Sequence, residues 1–488
     1  SFFNEINSFF IFLKLSKSHE YIKNPPFCIW YDNKKNTLSQ TMCYNITTTK
    51  LYINNILKNR HNIRGDKVKY IKKVLGSYNL HMLKTNRFKT ITIDLIFRKK
   101  IKKEDITKRN VLADLLTFSS KKYPTRREMA IHQQDLYACE VDFSCYRLGN
   151  YYNTDISLLC LNEKYTEKGM LDETIKYLSE IVFNPNVTNN KFDSTSFEII
   201  KNNTIKQIHS IEEDTRKYSL VRMLENMGES QTYSLHGFGY IEDLKKINEE
   251  NIYEYYKDFI KSSGLDIFVI GDIDFEQVEK LFKDNFKFNI YHKKDNDFVI
   301  EHKKIRKIPK KIVEDYPSSQ SKLSIGCKIK NLTEFERNYA LTIFNMILGG
   351  SSESKLFRNV REKNSLCYYI SSNSNKIDNL LFITSGITKN NFDKVIKLIR
   401  KEINEIRKGN FTLEEIEKAK IRYISLMDEM YDYPSQIISY YYAAEILNSD
   451  LPEERKKMID KVTKEDIISV SNKIYMDTIY LLGGEDNE

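Results

Sequence analysis

Two stretches of this chain recur in the same order about 215 residues apart. "FEIIKNNTIKQIHSIEEDTRKYS" (197–219) pairs with "LEEIEKAKIRYISLMDEMYDYPS" (413–435), each a helical pattern that ends in a polar turn. "NIYEYYKDFIKSSGLDIFVIGDI" (251–273) pairs with "DIISVSNKIYMDTIYLLGGED" (466–486), each an amphipathic helix, a short loop and an apolar strand ending in Gly. A repeat of this kind predicts a duplicated α+β unit of roughly 200 residues, each copy able to build its own core.

Other segments fit that plan. In "TITIDLIF", Ile91, Ile93, Leu95 and Phe97 alternate with mostly polar residues, the period of a half-buried strand. "KLSIGCKIK" does the same with Leu323, Ile325, Cys327 and Ile329. Thr333 and Glu336 predict a capping box before "RNYALTIFNMILGG", and Gly349 and Gly350 stop that helix. The charged stretch 291–311 lacks apolar periodicity and reads as a linker. The expected organisation is a basic, poorly ordered extension over 1–65, a first unit over 66–290, the linker, and a second unit over 312–488.

Charge and cysteine usage narrow the function. The net charge of +10 sits mostly in residues 1–75, which hold 13 Lys/Arg against 4 Asp/Glu; the remainder is 64 against 63. That is a solvated tail rather than a nucleic-acid surface. No apolar run is long enough to span a membrane, and the apolar start lacks a basic leader and a small-residue cleavage site. Seven scattered cysteines without a CxxC pair point to a reducing cytoplasm. There is no phosphate-binding loop and no dinucleotide fingerprint.

The second half carries "LGGSSESKLFRNVREKNSLCYYISS" (348–372), and the first carries "SSKKYPTRREMAIHQQDLYACEVDFSC" (119–145). Over about residues 67–488 the chain resembles the insulinase/pitrilysin zinc peptidases. The resemblance implies an α+β fold of two tandem homologous α/β-roll domains, of the insulinase-peptidase (LuxS/metalloenzyme-like) type. It also implies an inverted His-x-x-Glu-His motif, in which two His one helical turn apart bind zinc and the Glu activates water. With "KKYP" held fixed, that motif falls on Asn110, Val111, Leu112, Ala113 and Asp114, and the third ligand on Gln207. An amide is a poor zinc ligand, Ala113 has no proton to move, and residues 101–131 contain no His. This chain therefore resembles a family member without the metal site, and no cofactor is expected in it.

The resemblance gives the second half a role. In catalytic members an Arg and a Tyr seven residues later hold the substrate and the developing oxyanion; Arg361 and Tyr368 have that spacing. Gly349 and Gly350 are expected to touch substrate or simply to end a helix. The implied protein is the non-catalytic subunit of a heterodimer. Its partner is a zinc-bearing paralogue, its substrate a short or unfolded peptide, with neither nucleic acid nor membrane involved. The alternative is a pseudo-peptidase with a structural or peptide-binding role. A hydrolase built on Asp114, His132 or His209 lacks any ligand spacing. His209 with Glu213 reads as a surface pair, His236 as a loop residue, and Cys139 and Cys145 as buried thiols.

Overall fold

The computed structural model describes residues 68–228, 231–287, 297–318 and 320–483, plus a two-residue ladder of Tyr31–Asp32 with Thr37–Leu38. The expected extension over 1–65 otherwise lies outside the described residues.

Two sheets carry the fold. The first comprises β1 (Lys69–Val74), β2 (Asn79–Lys84), β3 (Thr90–Lys100), β4 (Glu140–Leu148), β5 (Tyr151–Leu161) and β6 (Gly264–Gly271), in the order β1-β2-β6-β3-β5-β4. The second comprises β7 (Lys310–Asp315), β8 (Ser321–Ile329), β9 (Cys367–Asn375), β10 (Leu380–Ile387) and β11 (Ile474–Gly483), in the order β7-β11-β8-β10-β9. One parallel pair occurs in each, β2 with β6 and β7 with β11, and every other pairing is antiparallel. Strand for strand the second order repeats the first, which adds only the edge strand β1. The internal repeat of the sequence is thus a repeat of topology.

The described residues form thirteen α-helices of eight or more residues: α1 (Lys103–Phe118), α2 (Arg126–Asp135), α3 (Met170–Phe183), α4 (Ser194–Glu213), α5 (Thr215–Met227), α6 (Glu249–Ser262), α7 (Phe275–Asn285), α8 (Leu341–Leu348), α9 (Phe392–Arg407), α10 (Leu413–Glu429), α11 (Pro434–Leu447), α12 (Pro452–Asp460) and α13 (Lys464–Asn472). Local signals place several starts. Reciprocal capping boxes join Thr125 to Glu128, Thr412 to Glu415 and Thr463 to Asp466. The Thr333–Glu336 pair also forms, but the turn it opens is π-helical over 336–340 before α8 begins.

Each sheet packs one face on helices of its own half. Ile91, Ile93, Leu95 and Phe97 enter the first core, and Leu323, Ile325, Cys327 and Ile329 the second. The alternation predicts a polar, solvated opposite face. The structure buries that face as well: Asp94, Ile96, Ser324 and Tyr480 have almost no exposed surface. The cause is an exchange of helices between halves. α11 of the second half lays Ile437, Ile438, Tyr441 and Tyr442 over Leu83, Ile96, Phe268 and Ile270. α5 of the first half lays Met223 and Met227 over Tyr480 and Leu482. Gly326 makes room for the latter, because a Cβ there would stand 2.5 Å from the Met223 sulfur and 2.6 Å from that of Met227.

Polar groups join the halves too. Arg147, at the β4–β5 hairpin, forks onto the buried Asp378 of the β9–β10 hairpin. Residues 297–308 run as a strap beside both tips. Phe298 packs on the Tyr151 ring at 4.3 Å, the Ile300 N–H donates to the Ile377 carbonyl at 2.8 Å, and His302 Nε2 pairs with the Asp378 carbonyl at 2.8 Å.

Candidate functional site

α1 presents the positions where the metal motif would stand. Asn110 is buried, and its Nδ2 donates to the carbonyls of Ile106 at 2.9 Å and Gly237 at 3.0 Å. Tyr152 from β5 donates its hydroxyl to the same Gly237 carbonyl. The amide therefore stitches α1 to the 236–240 loop. Ala113 is fully buried. Asp114 is half-buried; desolvation pushes its carboxyl up to about 6, against Arg126 and with the help of Asp142. Gln207 lies partly exposed on α4.

The histidines do not gather here. His132 stacks on Tyr123 at 4.4 Å and meets Tyr177 edge-on. His209 and Glu213 are exposed at the end of α4. His236 pairs with Glu225 and stacks on Tyr240 at 4.9 Å. Among the described residues, no group of three or more His, Cys, Asp or Glu could hold a metal ion. Asn110 spends its amide nitrogen on two carbonyls, and Asp114 stands without a His. This residue set does not fit zinc. The thiols offer no nucleophile instead, since burial pushes both Cys139 and Cys145 up to about 12.

The second half brings its two predicted residues together. The turn Phe357–Glu362 is π-helical and ends beside the start of β9. Arg361 is exposed on it, 4.7 Å from the Phe357 ring centre. In the β9–β10 ladder Cys367 pairs with Ile387 and Tyr369 with Gly386, so Tyr368 is the extra residue of a β-bulge. A bulge re-aims a side chain. Tyr368 consequently stands 63% exposed, while Tyr369 is held under Arg216 of α5 at 4.7 Å. Arg361 and Tyr368 line one open recess of about 410 Å³ with Ser365, Leu366, Cys367, Thr388 and Asn391. Both are donors suited to a carbonyl oxygen. The family resemblance pointed to the pair; the bulge that turns Tyr368 outward had no sequence signal.

Gly349 and Gly350 do not line that recess. Both N–H groups donate to the Asn345 carbonyl and end α8. Gly349 accepts from the Ser372 N–H at 3.0 Å, and a Cβ there would meet Ser372 at 2.7–2.9 Å. Close approach to β9 by itself accounts for glycine at 349. Sequence reasoning missed Arg109, which is buried beside Asn110. It donates to the Tyr152 carbonyl at 2.6 Å and to the Tyr255 hydroxyl at 3.1 Å.

Comparison with known proteins places this architecture. The family model described as the peptidase M16 inactive domain matches residues 246–423. A Bacillus subtilis (strain 168) protein named probable inactive metalloprotease YmfF is 30% identical over 424 residues, 86% of this chain and 99% of that protein. The chain belongs to the M16 peptidase family. A second Bacillus subtilis (strain 168) protein, named uncharacterized zinc protease YmxG, is 25% identical over 58% of this M16 chain and 67% of its own length. Among solved structures, a conserved protein from Enterococcus faecalis V583 superposes with a TM-score of 0.78 at 27% identity, over 87% of this chain and all of that one. The peptidase M16 inactive domain from Pseudomonas fluorescens superposes with a TM-score of 0.68 at 16% identity, over 86% of this chain and 98% of that one, a likeness of fold. The present chain is an M16 peptidase-like protein of the inactive type. No helix among the described residues is long and apolar enough to cross a membrane.

Proposed function

We propose that this M16 chain is the non-catalytic subunit of a two-chain peptidase and completes its partner's active site with Arg361 and Tyr368. The observation that carries this reading is their shared recess, with Tyr368 turned to solvent by a bulge, in a chain whose first half lacks a metal-ligand set. A purely structural chain has no use for an exposed guanidinium and phenol aimed at one opening. The Arg361 guanidinium would hold a peptide carbonyl and the Tyr368 hydroxyl would donate to the oxygen on which charge develops. The partner is a zinc-bearing paralogue, and its metal supplies the activated water. The substrate is a short or unfolded peptide, and the compartment is the cytoplasm, in keeping with the free thiols of all five described cysteines.

The test is cleavage of a quenched-fluorescent unstructured peptide by this chain, by the co-purifying zinc paralogue, and by the mixture. Activity confined to the mixture, lowered about 100-fold or more by Arg361→Ala and about tenfold by Tyr368→Phe, is the expected result. Arg361→Lys should restore part of it, because it keeps the charge. Full activity from the paralogue alone would replace this reading with that of a structural or peptide-binding pseudo-peptidase. Activity from this chain alone would overturn both.

A further inference from the structure

The recess that holds Arg361 and Tyr368 offers more positive character than a neutral peptide carbonyl uses. It lies where three segments meet: the π-helical turn with Ser365 just after it, the start of β9, and Thr388 and Asn391 between β10 and α9. Among the residues that line it Arg361 is the only charged one; none is Asp or Glu. The guanidinium lies against the Phe357 ring and makes no ion pair among the described residues. The side-chain hydroxyls of Ser365, Tyr368 and Thr388 are exposed and make no hydrogen bond among the described residues either. Burial raises the Cys367 thiol above its ordinary value, so this lining residue adds no negative charge at neutral pH.

Two backbone features point the same way. Asn391 stands immediately before α9 and turns its amide toward the Leu366 carbonyl, at 3.5 Å, leaving the N–H groups of the first helical turn without a side-chain cap. The N-terminal end of a 16-residue helix thus abuts the recess, and such an end favours an anion. Ser365 has φ +50°, a left-handed backbone that serine seldom adopts. The turn holds it there: the Ser365 N–H donates to the Arg361 carbonyl at 3.0 Å and the Leu366 N–H to the Val360 carbonyl at 3.2 Å. Glycine would relieve that backbone but would take one hydroxyl from the recess.

A carbonyl oxygen has two lone pairs to satisfy. A carboxylate has about four acceptor sites and a full negative charge, and a guanidinium meets it with two parallel N–H donors. Arg361 has five donors, enough for a carbonyl on one edge and a carboxylate on another. We propose that the recess is a specificity site for a peptide carboxylate, with Arg361 as the countercharge and Ser365 and Thr388 as hydroxyl donors. The carboxylate belongs to the free carboxyl terminus of the peptide or to an Asp or Glu side chain. The inference rests on the reading of Arg361 and Tyr368 as substrate-facing, and names the class of peptide they receive.

The experiment is calorimetric titration of the full chain, without a partner, with three N-acetylated decapeptides built from Gly, Ser and Ala. One has a free carboxyl terminus, one is amidated and neutral, and one is amidated with a central Glu. A charged peptide is expected to bind about tenfold or more tighter than the neutral one. Arg361→Gln should shrink that preference to within about twofold, and Ser365→Ala and Thr388→Val should each weaken the preferred peptide about threefold while leaving the neutral one unchanged. Preference for the free terminus assigns the carboxylate to a peptide end; preference for the Glu peptide assigns it to a side chain. Equal binding of all three, no saturable binding by any, or a preference that survives Arg361→Gln overturns the proposal. The partner reading fails separately, in the cleavage assay. Complementation by a chain that binds the three peptides alike removes only the carboxylate preference; the preference without complementation leaves a peptide-binding pseudo-peptidase.

Discussion

Arg147→Met should destabilise the chain by about 3 kcal/mol. In the folded chain Arg147 Nη1 donates to Asp378 Oδ1 at 2.7 Å and to the Gly149 carbonyl at 2.8 Å, and Nη2 donates to Asp378 Oδ2. Asp378 has no exposed surface, so the variant leaves a buried carboxylate short of its charge partner. Breaking such a pair costs about 3–5 kcal/mol. Two features put this case at the low end. Asn375 Nδ2 still donates to Asp378 Oδ2 at 2.7 Å, and the Arg147 side chain is 15% exposed, so water reaches the gap. Met keeps the length of the aliphatic stem while removing the charge. Asp378→Asn should cost about 1–2 kcal/mol, because it leaves an orphaned guanidinium near water. The double variant should recover at least about 1.5 kcal/mol relative to the sum of the singles. Urea unfolding followed by far-UV circular dichroism at pH 7.5 measures all four proteins. Additive singles, with Arg147→Met below about 0.5 kcal/mol, would show that the hairpin tips are held by the strap and the exchanged helices rather than by this ion pair.

Three further outcomes are expected. Gly149 has φ +59° and a Cβ there would stand 1.9 Å from the Phe298 carbonyl oxygen, so Gly149→Ala should lose about 3 kcal/mol or more, read by melting temperature and soluble yield. Burial pushes the Asp94 carboxyl from 3.8 up to about 6, against a hydrogen bond from Ser157, so the folded chain holds this proton more tightly than the unfolded one. The stability tied to Asp94 is then greatest below about pH 3.8 and falls as pH rises to about 6; Asp94→Asn should gain about 2 kcal/mol at pH 7.5, little at pH 4, and flatten the profile between. Equilibrium dialysis against zinc should leave less than about 0.1 equivalent on the isolated chain, and a chelator should not move its melting temperature.

The sequence carried the unit of construction. Its repeats match real counterparts, α6–β6 with α13–β11 and the α4–α5 elbow with α10–α11, because helix and strand periodicities are local. The Thr333–Glu336 box was legible for the same reason, whereas the seven-residue step from Arg361 to Tyr368 drew its meaning from the family resemblance. The lack of any His over 101–131 was legible because residue identity is read directly from the chain. The half-buried strands were not legible as they are. Asp94 and Ser324 look like solvent-facing positions, yet helices from the opposite half cover them, and no local pattern says which sheet a helix will choose.

The same division holds for the candidate site. The family resemblance pointed to Arg361 and Tyr368; the bulge at Tyr368, one skipped pairing against β10, set the phenol beside the recess. Sequence by itself determined the repeated α+β unit and the residue types available for chemistry. Tertiary structure decided which faces are dry and which charges meet, because burial and charge pairing are set by residues far apart in the chain.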